Sequence, residues 1–465
     1  MDIIVWGTGG LFQKFKEYLF QINIIRFCDN DIRKQGSCIN GIEIISPDEI
    51  VNYEFSYIVI MTYNTSNIYQ KLTEMKIPAN KILLYNQVLL LTNKQISVQR
   101  NGSEILFDKW KEKNKRAVLL LSHQFGYSGV PVALKNMALI IKKMGYSVLM
   151  AAGSGGSFTE ELRLLGLDYM ENVDLCYGTE CFKGILSHFS IIIVGTLDLY
   201  RIVETWKKIN VPVLWWIHET YEMYYEGKNI LPDNRNIKYL AGGNRVKKIF
   251  KKHYLNTEIE KLQYYIPDTK HKYCENRKHN HMITVAMIGA IDPRKAQDVF
   301  LEAVKQLPKK YICKFKFIII GKMTCKDQAF INIIENAKIA MRQIEWMEEL
   351  PQEELDQYYE NIDVLICPSR DDPMPIVVTQ AMMHEKTCIV SDEVGQAEFI
   401  IHKKNGFIFK SEDRRALKET LMWVADHREC LSMIGRESRE IYDREFSEKI
   451  MLEKLSVIFQ EVIQE

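Results

Sequence analysis

The sequence predicts an α/β protein built from three successive parallel-sheet units, and three observations carry that reading. Short runs rich in Ile, Val and Leu alternate with stretches of helical periodicity along the chain, the pattern of strand–helix–strand crossovers. The apolar runs are continuous rather than alternating, as in strands buried on both faces. At 465 residues the chain exceeds one typical core and divides into two or three domains.

The first unit is read over residues 1–105. Residues 3–6 form a strand, Gly7 to Gly10 a tight turn, residues 11–20 a helix, and residues 24–28 a second strand ending at Asp29. Strand, glycine turn, helix, strand, acid is the order of a dinucleotide-binding unit. Phe12 stands where the third glycine of that fingerprint belongs, so the fingerprint is incomplete. Asp29, Asn30 and Asp31 also spell an acid-x-acid triplet of the kind that holds a divalent ion. After the second strand of such a unit, the first acid more naturally meets a ribose.

The second unit is read over residues 116–270, after a polar stretch at 108–115 with linker composition. Residues 117–121 form a strand, 122–131 a loop and 132–144 a helix, with Pro131 at its start and Gly145 at its stop. Strands follow at 147–151, 190–194 and 213–217. The third unit covers residues 280–445. It opens with a strand at 283–288, a turn at 289–293 and a helix at 294–307, and continues with strands at 315–320, 363–367 and 387–391. A short amphipathic helix lies between the last two strands, and the final stretch, 446–465, is read as a helix crossing back to the middle unit.

Composition narrows the function classes. A net charge of +1 carries no electrostatic footprint for nucleic acid. The ten cysteines include no C-x-x-C pair, so neither a metal knuckle nor a disulfide framework is indicated, and a reducing cytoplasm fits. No apolar run approaches the roughly 18 residues of a membrane span. The basic run Lys247, Lys248, Lys251, Lys252 and His253 reads either as a solvated helix face or as a phosphate- or lipid-facing patch.

The most informative stretch runs from Pro368 to Met382. It begins at the carboxyl end of a strand, where open α/β sheets bind ligands. Asp372 and Gln380 stand eight positions apart, about two helical turns, so both can reach one extended ligand. The segment resembles the nucleotide-sugar signature of retaining GT-B glycosyltransferases of group 1, family 4-like. That resemblance implies two facing Rossmann-like domains, here preceded by a smaller one. In the family, two glutamates separated by seven residues contact the transferred sugar and the nucleotide ribose; this chain has Asp372 and Gln380 there, and both are departures.

Transfer from a nucleotide-sugar needs the leaving diphosphate's charge stabilised, and without a metal that falls to cations and helix ends. Arg294 and Lys295, after Gly289, resemble the family's diphosphate-binding loop, although Ala290 replaces an arginine often found directly after the glycine. His218, at the end of an apolar strand, resembles the family's cleft histidine. The sequence from His218 to Glu222 is not a zinc motif, because Glu222 replaces the second histidine. Gly129, with Ser122 and His123, resembles the first strand–helix loop of bacterial cell-surface glycosyltransferases. Tyr221, Tyr224 and Tyr225 either line an acceptor groove or belong to the surface or core.

The resemblance thus implies catalytic roles for His218, Asp372, Lys295 and Arg294, and donor contacts from Gly129, Gly289, Arg294, Lys295, Asp372 and Gln380. It implies no metal, no cofactor beyond the nucleotide-sugar, and a saccharide, lipid-linked or protein-linked glycan acceptor. A cytoplasmic place, with peripheral association at the inner membrane face, and a role in bacterial surface polysaccharide or glycoconjugate synthesis follow from the same resemblance. The first unit resembles small Rossmann-like domains of the nucleotide-sugar-binding type that precede sugar acyltransferases and some glycosyltransferases. The rival readings are a non-catalytic nucleotide-sugar-binding scaffold, a GT-B-fold epimerase and, given the broken fingerprint, a dehydrogenase last.

Overall fold

The computed structural model describes residues 1–62, 65–85, 96–172, 175, 184–204, 206, 209–226, 228, 231–232, 236–270 and 282–464. The first sheet contains β1 (Asp2–Trp6), β2 (Asn23–Cys28), β3 (Cys38–Ile39), β4 (Ile42–Ile45), β5 (Tyr57–Ile60) and β6 (Ile82–Leu84), in the order β3-β4-β2-β1-β5-β6. Apolar clusters cover both of its faces. Phe12 is buried and packs edge-on against Phe27 at 5.2 Å. An aromatic ring therefore fills the space that a fingerprint glycine would leave open.

The second sheet holds β7 (Ser97–Arg100), β8 (Ser103–Leu106), β9 (Ala117–Ser122), β10 (Ser147–Ala152), β11 (Asp168–Glu171), β12 (Ile191–Val194), β13 (Val213–Ile217), β14 (Ile237–Ala241) and β15 (Glu260–Lys261). Their order is β15-β14-β13-β12-β9-β10-β11-β7-β8. Every residue of β9, β12 and β13 is buried, which is why these strands read as unbroken apolar runs. The β7–β8 hairpin pairs antiparallel to β11. Residues 97–106 therefore belong to this sheet, where the sequence reading ended the first unit at 105.

The stretch expected to be a linker is also structured. Phe107–Lys113 is a helix whose Trp110 is buried and donates from Nε1 to Asp168 Oδ2 at 2.7 Å. Its charged residues face water and hide that anchoring from a composition-based reading.

The third sheet contains β16 (Ile283–Ile288), β17 (Phe315–Ile320), β18 (Ile344–Met347), β19 (Val364–Cys367), β20 (Thr387–Ser391) and β21 (Phe407–Phe409), all parallel, in the order β18-β17-β16-β19-β20-β21. The helix Ile376–Met383 is buried from Val378 onwards. It is not amphipathic as the sequence suggested, because it packs against β20 and the helix Leu431–Glu445 while Tyr264 of the middle unit reaches Thr379. The helix Glu448–Gln464 returns to the middle unit, with Phe459 edge-on to Tyr146 at 5.4 Å and Lys454 Nζ donating to Gln263 at 2.9 Å. One apolar cluster runs through Leu134, Trp216, Tyr264, Met382, Tyr442 and Phe459, so the second and third units share a core.

Candidate active site

The third sheet reverses its strand order between β16 and β19, and a switch point of this kind is where open α/β sheets take ligands. After β16 the chain turns at Gly289, with φ +140°. A Cβ on Gly321 would lie 1.9 Å from the Gly289 carbonyl oxygen, so the two loops touch through backbone alone. Asp292 then accepts from the Lys295 N–H at 3.2 Å and closes the tight turn Pro293–Lys295. Ala296 is left-handed, with φ +60°, and the helix begins at Gln297. The sequence reading started that helix at Arg294. Arg294 and Lys295 instead occupy a separate turn, because the Asp292 cap and the left-handed Ala296 bend the chain before the helix.

The loop after β19 is zipped to this turn. Arg370 N–H donates to the Arg294 carbonyl at 2.8 Å, and its guanidinium grips Asp298 at 2.9 and 2.7 Å. Asp372 is extended and bonded to the loop after β20: its N–H donates to Glu393 O at 3.1 Å, and its carbonyl accepts from Gly395 N–H at 2.9 Å. Its carboxylate, 7% exposed, lies 2.5 Å from Lys295 Nζ and 3.8 Å from Arg294 Nη1. Burial works against the charge on Arg294, yet Asp372 and Asp292 outweigh it and raise its pKa. Lys295, Arg294 and Asp372 thus converge at the switch point.

Gln380 lies on the buried helix and accepts from Tyr359 OH at 3.3 Å. Asp372 precedes that helix, which begins after Pro375. The eight-residue spacing is therefore not two turns of one helix, as the sequence suggested; the two side chains descend from β19 by different routes and meet different partners.

The middle unit presents the carboxyl end of β13. The His218 ring packs against Trp216 at 4.3 Å. A Cβ on Gly242 would come within 2.7 Å of His218 Nδ1, so glycine there makes room for the ring. Among the described residues its Nε2 is buried without a partner, and burial lowers its pKa to about 4. The imidazole is neutral near pH 7. Glu219 accepts from Thr196 Oγ1 at 2.5 Å, Leu197 N–H at 3.1 Å and His218 N–H at 3.0 Å, while burial lifts its pKa to about 6.

Two residues after His218, Thr220 donates to Asp371 of the third unit at 2.8–2.9 Å, and Arg245 Nε reaches the same carboxylate at 2.8 Å. Glu219, Arg245 and Arg370 were missed in the sequence. The only signal for Glu219 was an acid directly after His218 at a strand end; the arginines gave none.

The remaining candidates divide. Tyr221 is 40% exposed, whereas Tyr225 is buried, donates to the Glu219 carbonyl at 3.0 Å and stacks on His253. Tyr225 is a core residue. Gly129 begins the helix Gly129–Lys143, and a Cβ there would meet nothing within 4 Å. The protein's own packing does not require that glycine. His123 has its Nδ1 buried without a partner among the described residues, and burial lowers its pKa. Of the basic run, Lys252 and His253 pair with Glu222.

In the first unit, burial favours the neutral form of Asp29, but hydrogen bonds from Thr8, Asp31 N–H and Lys34 outweigh it and hold its pKa at about 2. Asp31 is engaged by Arg33. Among the described residues no group of three or more His, Cys, Asp or Glu is arranged to hold a metal ion. A cavity of about 550 Å³ opens beside Gly7, Gly9, Gly10 and Asp29.

Residues 270–441 match the family described as glycosyl transferases group 1, and residues 113–243 match glycosyl-transferase family 4. The chain is a group 1 glycosyltransferase of GT-B fold. Residues 1–83 of this glycosyltransferase match a separate family described as C2185-like, N-terminal. HepE from Anabaena, solved with UDP-glucose, is 12% identical with a TM-score of 0.63, over 74% of this chain and 99% of its own. A sucrose-phosphate synthase from Thermosynechococcus elongatus is 12% identical with a TM-score of 0.60, over 75% and 99%. A glycosyltransferase from Rickettsia africae is 16% identical with a TM-score of 0.59, over 75% and 99%. No curated protein matches the glycosyltransferase in sequence. Among the described residues no helix is long and apolar enough to cross a membrane.

Proposed function

We propose that this glycosyltransferase moves a sugar from a nucleoside-diphosphate sugar to a saccharide or glycoconjugate acceptor, with retention of configuration and without a metal. The observation that carries the reading is the convergence of Lys295, Arg294 and Asp372 where the strand order reverses. Two half-buried cations beside one buried carboxylate suit a ligand with an anionic diphosphate and a hydroxyl-bearing sugar. The diphosphate shares Lys295 and Arg294 as its leaving-group charge develops, and water-poor surroundings strengthen that interaction. Asp372, released from part of its pairing, accepts hydrogen bonds from sugar hydroxyls. Gln380 meets the nucleotide ribose as an amide, and Gly289 and Gly129, lacking a Cβ, let the donor approach the backbone closely.

His218 is neutral, and among the described residues its Nε2 has no partner, so it serves as a hydrogen-bonding partner for the sugar or acceptor rather than as a cation. The acceptor hydroxyl enters on the face the diphosphate leaves, which needs no enzyme nucleophile. A uridine donor is supported by HepE, solved with UDP-glucose and with UDP and glucose. A role in bacterial surface glycan assembly, at the cytoplasmic side of the membrane, is supported by WaaG, a structural neighbour involved in lipopolysaccharide biosynthesis.

The test is nucleoside diphosphate release across UDP-, GDP- and dTDP-sugars with EDTA present, comparing the wild type with Arg294→Ala/Lys295→Ala. Release that survives EDTA and collapses in the double variant is the expected result. Donor binding without release, with or without acceptors, would instead identify a nucleotide-sugar-binding scaffold.

A further inference from the structure

We propose that Asp371 is a positioning residue: it seats the His218 loop of the middle unit on the turn that carries Asp372. The inference deepens the transferase reading and rests on it. Asp371 and Asp372 are consecutive, and at Asp372 the chain is extended, so their side chains leave on opposite sides. Asp372 turns inward to Lys295 and Arg294. Asp371 turns across the gap between units, accepting from Thr220 Oγ1 at 2.8 and 2.9 Å and from Arg245 Nε at 2.8 Å.

The seat is shaped on both sides. Thr220 is buried and lies two residues from His218. Arg245 also pairs with Glu393, whose carbonyl receives the Asp372 N–H. A Cβ on Gly243, just before the helix Asn244–His253, would lie 2.7 Å from Met374 Cε, so that helix start rests directly on the Asp372 turn. The carboxylate of Asp371 is 15% exposed and the Arg245 side chain 26%, which keeps the pair largely out of water, where its charge is effective. One acid thus binds the middle unit while its neighbour organises the diphosphate cations, so the His218 loop and the donor site are tied to adjacent residues of one turn.

The test uses the full chain in two arms. In small-angle scattering of the ligand-free protein, Asp371→Ala and Arg245→Ala each enlarge the radius of gyration, and the double variant enlarges it no further. In the second arm, calorimetry with UDP as probe gives an affinity for Asp371→Ala within about two-fold of wild type, while kcat for transfer falls roughly 10–100-fold, as misplacement near 1 Å does. Asp371→Asn keeps the Thr220 hydrogen bond, guards against a folding defect and gives intermediate values in both arms. An Asp371→Ala protein with the wild-type radius of gyration overturns the proposal, as does one whose whole loss is UDP affinity. If the wild type neither binds UDP nor turns over, the transferase reading fails while the scattering arm still decides the seat.

Discussion

Lys295 Nζ lies 2.5 Å from Asp372 Oδ2, with the two side chains 17% and 7% exposed. Each is the counter-charge the other needs in a poorly hydrated place. Lys295→Met is expected to destabilise the protein by up to about 3 kcal/mol, because it leaves a buried carboxylate with only Arg294, 3.8 Å away, as counter-charge. Lys295→Met/Asp372→Asn recovers most of that loss, since no uncompensated charge is left. Chemical denaturation of the two variants checks the sign. In activity both stay at least about 100-fold below wild type, because the diphosphate has lost one of its two cations.

His218 and Glu219 are neighbours with opposed titrations. The His218 pKa falls from an ordinary 6.5 to about 4, so its contribution to stability is present above pH 6.5 and lost as pH falls toward 4. The Glu219 pKa rises from 4.5 to about 6, so its contribution is present below pH 4.5 and lost as pH rises through 6. The two slopes largely cancel in the wild type. Glu219→Gln is expected to gain on the order of 1–2 kcal/mol relative to wild type between pH 4.5 and 6. His218→Gln loses the opposing slope and becomes relatively more stable as pH falls from 6.5. Unfolding free energies measured across this window distinguish the variants.

Gly395 is set by proximity rather than by backbone angle. A Cβ there would lie 1.8 Å from the Pro373 carbonyl oxygen and 3.2 Å from Met374 Cε. The obstacle is backbone, so Gly395→Ala displaces the turn carrying Asp372. A loss of about 2–3 kcal/mol by melting, with donor turnover falling more than 10-fold, is the expected outcome.

Gln380 is 3% exposed and accepts from Tyr359 OH. Restoring the family glutamate with Gln380→Glu places a carboxyl in a site whose burial favours its neutral form. The variant is expected to match wild type in melting temperature near about pH 5 and to fall behind as pH rises toward about 8, the sign of an acid whose folded pKa is raised. Added UDP narrows the gap if the ribose hydroxyls satisfy the charge, and differential scanning with and without UDP reads this directly.

Much of this architecture was legible because burial writes itself into short, local patterns. β9, β12 and β13 are buried throughout, and each stands out as an apolar run. The cations Arg294 and Lys295 and the acid Asp372 were singled out because they follow strand ends, where ligands bind, and because those segments resemble a family signature. The same local reading placed Arg294 in a helix that starts only at Gln297, since neither the Asp292 cap nor the left-handed Ala296 leaves a compositional mark. Trp110 was lost inside a charged stretch, and the helix Ile376–Met383 was taken as amphipathic because its second packing partner lies in another unit.

The sequence by itself determined that the chain forms three α/β units and which strand-end loops carry charge and glycine, because backbone pairing and two-sided burial constrain residues only a few positions apart. The tertiary structure alone decided that Asp372 faces Lys295 while Asp371 faces Thr220 and Arg245, and that Glu219 braces the His218 loop. The partners of the two aspartates lie 77 to 151 residues away in the chain and are chosen by how the sheets pack. Two adjacent, chemically identical side chains differ only in which way the extended backbone turns them.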